Sequence, residues 1–284
     1  MRFEISHTIR YIYTASVFME PMTVRLRPRC NAMQHLERFE LEVEPHPTGS
    51  SDNLDLYSNN TNTLWFHGLH DHLTVHASSV VNIANIDPFD FMIIEEGTVR
   101  LPAVYPGHHS KTVDIYSRQR YQSSLLDDFV RPILTRSNSE SMPFLLNLTT
   151  EIYEQFTNDA RDTGEPLHPE DTLARRSGAC RDLALLFMEC CRSVGLAARF
   201  VSGYGYCENV ISLEKSYMHA WAEVYLPGGG WKGFDPSIGL AVSDDHVAVA
   251  VAADPEDASP TRGTFRGTGV QSKIEYDVSI KCQT

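Results

Sequence analysis

The sequence of 284 residues predicts an α+β protein, in which a strand-rich N-terminal domain precedes a core of helices and strands. Three observations support this fold class. Short runs that alternate apolar and polar residues occupy the first part of the chain. The apolar spacing then changes to three and four residues, which is typical of helices. A second group of strand patterns follows a cysteine-bearing helix pattern.

The N-terminal region, residues 1–112, is predicted to be an all-β domain. Pro, Asn and Gly turns separate its alternating runs, which cover Phe3 to Tyr13, Met22 to Arg27, Arg38 to Glu44, Leu64 to Phe66 and His72 to Val81. We expect the linker to the second domain near Pro106 to Lys111.

Residues 113–284 are predicted to form the second domain. Apolar residues at helical spacing predict helices between residues 116 and 157; the two sets are Leu125, Leu126, Phe129 and Val130, then Phe144, Leu145, Leu148, Ile152, Tyr153 and Phe156. The run from Ile274 to Cys282 alternates strictly, so it predicts a last strand that closes a sheet. We assign the C-terminal strands to this second domain.

A helix is predicted to start at Cys180. Apolar residues recur at three- and four-residue spacing as far as Val194, and Gly195 then supplies a stop signal. A thiol in the first helical turn lies at the positive end of the helix dipole. That position, together with a nearby imidazolium, can lower a cysteine pKa from about 8.5 to roughly 3.5–7.5. Cys190 and Cys191 lie about three turns further on, where we expect them in the core.

A β-hairpin is predicted after this helix. Met218 to Leu226 alternates cleanly, Pro227 to Gly230 is a turn signal, and Trp231 to Asp235 returns as the antiparallel partner. If Leu226 pairs with Gly230, His219 and Asp235 become diagonal neighbours on one sheet face, roughly 7–8 Å apart at the backbone. A turn one residue longer would move Asp235 to the opposite face.

Cysteine, histidine and aspartate in this chain order suit thioester chemistry. We expect Cys180 to be the nucleophile, His219 to move protons as acid and base, and Asp235 to orient the imidazole and support its charge. The backbone N–H of Cys180 is the predicted oxyanion-hole donor. Water as acyl acceptor would give a peptidase or amidase, and an amine would give a transglutaminase or an amide-forming ligase. We expect hydrolysis first, because water competes unless the cleft excludes it.

The strings GACRDLA, RSVGLAARFVSGY, HAWAEVYLPGGGW and GFDPS resemble the bacterial transglutaminase-like superfamily, which has a papain-like core and members described as cysteine proteases. By position, the resemblance implies the same three residues as nucleophile, base and orienting carboxylate. It also implies that the all-β region is a β-sandwich. Residues near His246 and between Pro260 and Gly267 resemble the C-terminal segment of the same superfamily.

Four further residues are candidates for substrate binding. Tyr204 and Trp221 are aromatic residues on the predicted strands next to the cysteine helix, where aromatic side chains line a pocket or fill a core. Gly263 and Phe265 lie in a glycine-punctuated segment that the resemblance suggests as a cover for the cleft. The expected substrate is a peptide or another amide.

Two other classes of function stay open. One is a binding module without catalysis, since one fold serves many functions. The other is a metal-dependent hydrolase built on the histidine cluster His67, His70, His72 and His76. On a strand His67 points away from the other three, so we predict no metal site there, and no cofactor.

Composition excludes some partners. A formal net charge of −13 without a Lys/Arg cluster argues against nucleic acid and against an anionic membrane surface. No apolar run approaches the length of a membrane span, and the N-terminus lacks the apolar segment of a signal peptide. Six scattered cysteines fit a reducing compartment. We therefore expect a cytoplasmic protein; its oligomeric state is not predicted.

Overall fold

The computed structural model describes residues 1–84, 87–161, 164–206 and 218–283. Its helices are α1 (Glu96–Val99), α2 (Gly107–Ser117), α3 (Ser124–Arg136), α4 (Ser141–Gln155), α5 (Pro169–Arg175) and α6 (Cys180–Ser193). Its strands are β1 (Arg2–Met19), β2 (Met22–Val24), β3 (Gln34–Glu44), β4 (Gly49–Leu54), β5 (Asn60–Trp65), β6 (His70–Ile83), β7 (Thr157–Asn158), β8 (Ser177–Gly178), β9 (Ala198–Gly205), β10 (Met218–Leu226), β11 (Gly230–Asp235), β12 (Leu240–Ala241), β13 (His246–Ala252), β14 (Thr261–Arg262), β15 (Phe265–Arg266) and β16 (Ser272–Gln283).

Two antiparallel sheets form the N-terminal part of the protein. One has the order β15-β1-β6-β3 with β16 also paired to β1, and the other has the order β14-β2-β5-β4. Along the first half of β1 every second side chain is buried, as the alternating sequence predicts. Val17, Val24, Leu64 and Leu73 from both sheets share one apolar core, so the two sheets pack as a sandwich.

A third antiparallel sheet, with the order β12-β11-β10-β9-β13, carries the mixed core. Helix α6 lies against β9 and β10, and its apolar face is completely buried. Helices α3, α4 and α5 cover α6, and Phe144, Leu148, Leu186 and Phe187 lie at the centre of this core. The helix and strand patterns of the sequence are thus present, and the predicted α+β class is confirmed.

The C-terminal strands differ from the sequence prediction. Strand β16 pairs with β1 over twelve residues, from Arg2 opposite Gln283 to Tyr13 opposite Ser272, and β14 and β15 pair with β2 and β1. These strands therefore complete the N-terminal sheets, and their assignment to the second domain was wrong. Alternation identifies a strand and its buried face, but it does not identify the neighbouring strand. The predicted linker also differs, because α2 begins within it.

The sandwich and the third sheet are in direct contact. Phe3, Ile5 and Val81 of the sandwich pack against Tyr204 and Val249 of the third sheet. The Gln34 side chain donates to the carbonyl of Ala248 and accepts from its N–H, at 2.9 and 2.8 Å. The sandwich therefore supports the edge of the sheet that carries the site. Within the described ranges, no helix is both long and apolar enough to span a bilayer.

Candidate active site

Cys180 is the first residue of α6, as the sequence predicts. The start of the helix is fixed by Asp182, whose buried carboxylate accepts the backbone N–H of Ala179 at 2.8 Å. Arg161 and the N–H of Leu167 donate to its other oxygen, both at 2.8 Å. Gly178 permits this close approach, because a Cβ there would lie 2.8 Å from the Asp182 Cβ.

The Cys180 thiol faces the first residues of β10. His219 and the backbone N–H of Ala220 are both within hydrogen-bonding reach of its sulfur. Cys180 and His219 are partly exposed, with 19% of the His219 side chain accessible. The sulfur and the imidazole are therefore in contact with each other, and both residues keep partial access to solvent.

The hairpin β10–β11 brings His219 to Asp235. Leu226 pairs with Gly230 and Ala222 with Phe234, which is the register that the sequence predicts for a common sheet face. His219 Nε2 lies 2.5 Å from Asp235 Oδ2. Because Nε2 is engaged by the carboxylate, Nδ1 is the nitrogen left for the thiol. The structure thus brings Cys180, His219 and Asp235 together in the expected order.

The electrostatics favour a thiolate–imidazolium pair. Burial opposes ionisation of Cys180, but the charge of His219 and its hydrogen bond outweigh this and lower the pKa of the thiol below its usual value. Burial likewise disfavours charge on His219, yet Asp235 and Cys180 raise its pKa well above the usual range. Burial opposes ionisation of Asp235, but the charge of His219 and the hydrogen bonds from His219 and His246 outweigh this and lower its pKa, so Asp235 is ionised. These shifts therefore favour the ionised form of the Cys180 thiol more than in an ordinary cysteine.

Two residues of the site were missed by sequence reasoning. Ser237 donates to Asp235 Oδ1 from its N–H at 2.9 Å and from its hydroxyl at 2.7 Å. His246, on β13, places Nε2 at 3.1 Å from Asp235 Oδ2. In the sequence, His246 stands out only because its segment resembles the superfamily. Its adjacency to Asp245 is the local signal that could have marked it as a buried charged group.

The ligand atoms of His219, Asp235 and His246 lie within 4.8 Å of one another, which is close enough to consider a metal ion. Two ligands of a tetrahedral zinc ion are about 3.3 Å apart, since each metal–ligand bond is about 2.0–2.1 Å long. The separation of 2.5 Å between His219 and Asp235 is shorter than that. The set therefore fits a hydrogen-bonded group better than a zinc site in this arrangement.

The histidines near β6 have separate partners. His76 bonds to Thr8 at 2.9 Å, and His72 bonds to Asp71 at 2.7 Å. His70 bonds to the backbone carbonyl of His67 at 3.0 Å. These contacts do not converge on a common point.

Tyr204 and Trp221 are both buried, at 2% and 1% exposure. The Tyr204 hydroxyl bonds to His7 of the sandwich at 3.0 Å, so the structure places this side chain in the contact between the two parts of the protein. The Trp221 ring lies 5.0 Å from His246 and 6.3 Å from His219. Trp221 thus supports the two imidazoles from within the core, and contact of either aromatic residue with substrate stays a prediction.

Gly263 and Phe265 line a cavity of about 480 Å³ in the sandwich. Its aromatic lining includes Tyr11, Tyr13 and Phe66, and its carboxylates are Glu20, Glu165 and Glu256. None of the three residues Cys180, His219 and Asp235 lines it. The structure therefore groups the four predicted substrate-binding residues in two separate places.

A cysteine at a helix start, next to a histidine and an aspartate on an adjoining antiparallel sheet, defines the class of papain-like acyl-transfer folds. Residues 127–236 match the transglutaminase-like superfamily, and residues 3–82 match the bacterial transglutaminase-like N-terminal region. Residues 127–236 therefore belong to the transglutaminase-like superfamily, as the sequence motifs suggested.

The chain is also similar along its length to several individual proteins. An uncharacterized protein of Mycobacterium tuberculosis (strain ATCC 25618 / H37Rv) is 27% identical over 299 residues, with 98% of this chain and 92% of the relative covered. One of Mycobacterium leprae (strain TN) is 24% identical, covering 99% and 98%. The crystal structure of a "putative cysteine protease" from Cytophaga hutchinsonii has a TM-score of 0.71 at 20% identity, covering 100% of this chain and 92% of that one. This likeness shows a shared fold.

Proposed function

We propose that the protein is a Cys-His-Asp acyl-transfer enzyme that cleaves amide or peptide bonds through a thioester on Cys180. The observation that carries the proposal is the contact of the thiol with an imidazole whose Nε2 lies 2.5 Å from a buried carboxylate. This arrangement supplies a nucleophile, an acid–base group and an orienting anion in contact with one another.

The first half of the reaction forms the thioester. The Cys180 thiolate attacks the amide carbonyl, and the backbone N–H of Cys180 is suited to stabilise the resulting oxyanion. The C–N bond then breaks as the His219 imidazolium gives its proton to the leaving amine. The products of this half are a free amine and an acyl group bound to sulfur.

The second half transfers the acyl group to water. Neutral His219 removes a proton from water as the oxygen attacks the thioester, and the C–S bond breaks to release a carboxylic acid and regenerate the thiolate–imidazolium pair. Partial exposure of the residues Cys180 and His219 favours water as the acceptor, because these residues are not sealed from solvent. The name of the Cytophaga structure points to the same proteolytic chemistry.

We further propose that the cavity lined by Gly263 and Phe265 binds a part of the substrate away from the reacting carbonyl. Two features connect it to the site. Met218, the residue before His219, and Phe265 both pack against the same apolar core of the sandwich. Arg161 bonds both to the carbonyl of Glu165, which lines the cavity, and to Asp182 at the start of α6. A Phe265→Ala variant should raise KM without changing kcat, whereas Leu56→Ala, at a fully exposed apolar position, should change neither.

The experiment that tests the proposal incubates the protein with a library of peptide and amide substrates, with and without an added primary amine. Mass spectrometry of the products then separates a new carboxylate from an amine adduct. We expect free acid in both reactions and no turnover by Cys180→Ala. An amine adduct in place of the acid would show a transglutaminase or ligase, and a wild type without any turnover would favour a binding module.

A further inference from the structure

His246 lies in a buried chain of alternating charges that extends beyond the three residues of the proposed mechanism. Its side chain is 2% exposed. Nε2 lies 3.1 Å from Asp235 Oδ2, and Nδ1 lies 2.6 Å from Asp245 Oδ1. An ionised carboxylate only accepts hydrogen bonds, so an imidazole that bonds to two of them must carry a proton on both nitrogens. The geometry therefore assigns a positive charge to His246.

We propose that His246 is a positioning residue: as a buried imidazolium it holds the Asp235 carboxylate and offsets part of its negative charge, so that His219 can both take up and release a proton. This inference rests on the proposed function, since it concerns how the acid–base group of that site is tuned. No other described residue bonds to both Asp235 and a second carboxylate through one ring.

The need for such a residue follows from the role of His219. A fully buried carboxylate at 2.5 Å raises the pKa of the His219 imidazolium, which makes donation of its proton to a leaving group less favourable. The His246 ring lies 5.9 Å from the His219 ring. Two unit charges about 6 Å apart shift a pKa by about two units at an effective dielectric constant of about 20. The charge of His246 therefore offsets part of the effect of Asp235 on the His219 pKa, which makes release of the His219 proton easier.

The charged and titratable groups around His246 are few in the described part of the chain. Asp235 approaches from the end of β11, Asp245 from the turn before β13, and His219 from β10. Burial disfavours the charge on His246, but its bonds to the two carboxylates outweigh this and raise its pKa. Asp245 in turn has a lowered pKa because His246 and Ser243 donate to it. The series of hydrogen-bonded charged groups thus ends at Asp245, whose side chain is 26% exposed.

The test is a titration of ring-labelled histidines by NMR, which reads both imidazoles without any substrate. In the wild type, His246 should remain protonated above neutral pH. In His246→Gln, which keeps a donor for Asp235 but removes the charge, the pKa of His219 should rise by about one to two units. Asp244→Asn is the matched control: it removes the neighbouring charge, which does not bond to His246, and should leave His219 within about 0.2 units.

Two results would overturn the inference: titration of His246 near its ordinary pKa of about 6.5, or an unchanged pKa of His219 in His246→Gln. Asp245→Asn serves as a second variant if His246→Gln fails to fold, because it alters a partly exposed residue. It should lower the pKa of His246, and an unchanged value would also contradict the proposal. If His246→Gln raises the pKa of His219 but the wild type turns over no substrate, the proposed function would be refuted and this inference would remain intact.

Discussion

Helix α6 carries three cysteines, and its two ends give them opposite surroundings. Cys180 lies at the N-terminus, partly exposed, beside His219, and its pKa is lowered. Cys190 and Cys191 lie in the C-terminal half, fully buried, and burial raises the pKa of both thiols well above the usual value. The same residue type is thus the proposed nucleophile at one end and an apolar core residue at the other.

The C-terminal half also contains the buried ion pair of Glu189 and Arg192, with an N–O distance of 2.7 Å and no exposed side-chain surface. Glu189 accepts the N–H groups of Arg120 and Tyr121. Arg192 donates to the carbonyls of Tyr116, Ala198 and Ala253. Apart from the Glu189–Arg192 pair itself, these bonds join α6 to other chain segments. At the N-terminus the side chain that faces His219 is instead the proposed nucleophile, Cys180.

The largest expected effect comes from a change at the N-terminal end of α6, where Cys180 lies. Cys180→Ala removes the nucleophile, so amide cleavage should fall by at least about 10⁴-fold. Its free energy of unfolding should stay within about 1 kcal/mol of wild type, because the change removes one sulfur atom from a partly exposed residue. Steady-state kinetics and urea denaturation measure the two quantities. Activity that survives in Cys180→Ala would show that another group is the nucleophile.

The second variant tests Asp235, the carboxylate that bonds to the His219 imidazole. Asp235→Asn keeps the volume of the side chain but removes the charge that supports the His219 imidazolium. We expect kcat to fall by about 10²- to 10⁴-fold. The pKa of His219 should fall as well, so the rate should decline at lower pH than in wild type on the alkaline side. An unaltered pH–rate profile would remove Asp235 from the mechanism.

The third variant tests the buried ion pair in the C-terminal half of α6. Glu189→Gln leaves the Arg192 charge buried without its counter-charge, which should destabilise the fold by about 3–5 kcal/mol. Asp114→Asn is the control, since it removes an exposed pair with Arg118 that is worth at most about 0.5 kcal/mol. Chemical denaturation compares the two. Equal effects of the two variants would contradict a structural role for the buried pair.

The smallest expected effect comes from replacing Cys190, one of the two buried cysteines of α6. Cys190→Ala should cost about 1 kcal/mol of stability, because it leaves a cavity of roughly one methyl group in a packed core. The activity of the folded variant should equal that of wild type. A loss of activity comparable to that of Cys180→Ala would mean that the two ends of α6 are not separate in function.

Much of the site could be predicted because its key relations are local in the sequence. A tight turn at Pro227 to Gly230 fixes the register that puts His219 and Asp235 on one face, and the helix pattern fixes Cys180 in the first turn. These are short-range rules of turn length and periodicity. The predicted arrangement of the three residues therefore follows from about fifty-five residues of continuous chain.

The parts that the sequence did not predict depend on contacts between distant segments. His246 on β13 reaches Asp235 at the end of β11, although β9 and β10 lie between these two strands in the sheet. The pairing of β16 with β1 joins the two ends of the chain. Neither contact leaves a local pattern, since an alternating strand fits any apolar neighbour.

The most direct test of the central claim is alkylation of the native protein with a thiol reagent across pH, with the labelled positions read by peptide mass spectrometry. We predict that Cys180 reacts fast, with an apparent pKa well below the ordinary value of about 8.5, while Cys190 and Cys191 react only after unfolding. If Cys180 reacts no faster than Cys190 and titrates near 8.5, the thiol is not activated and the account is contradicted.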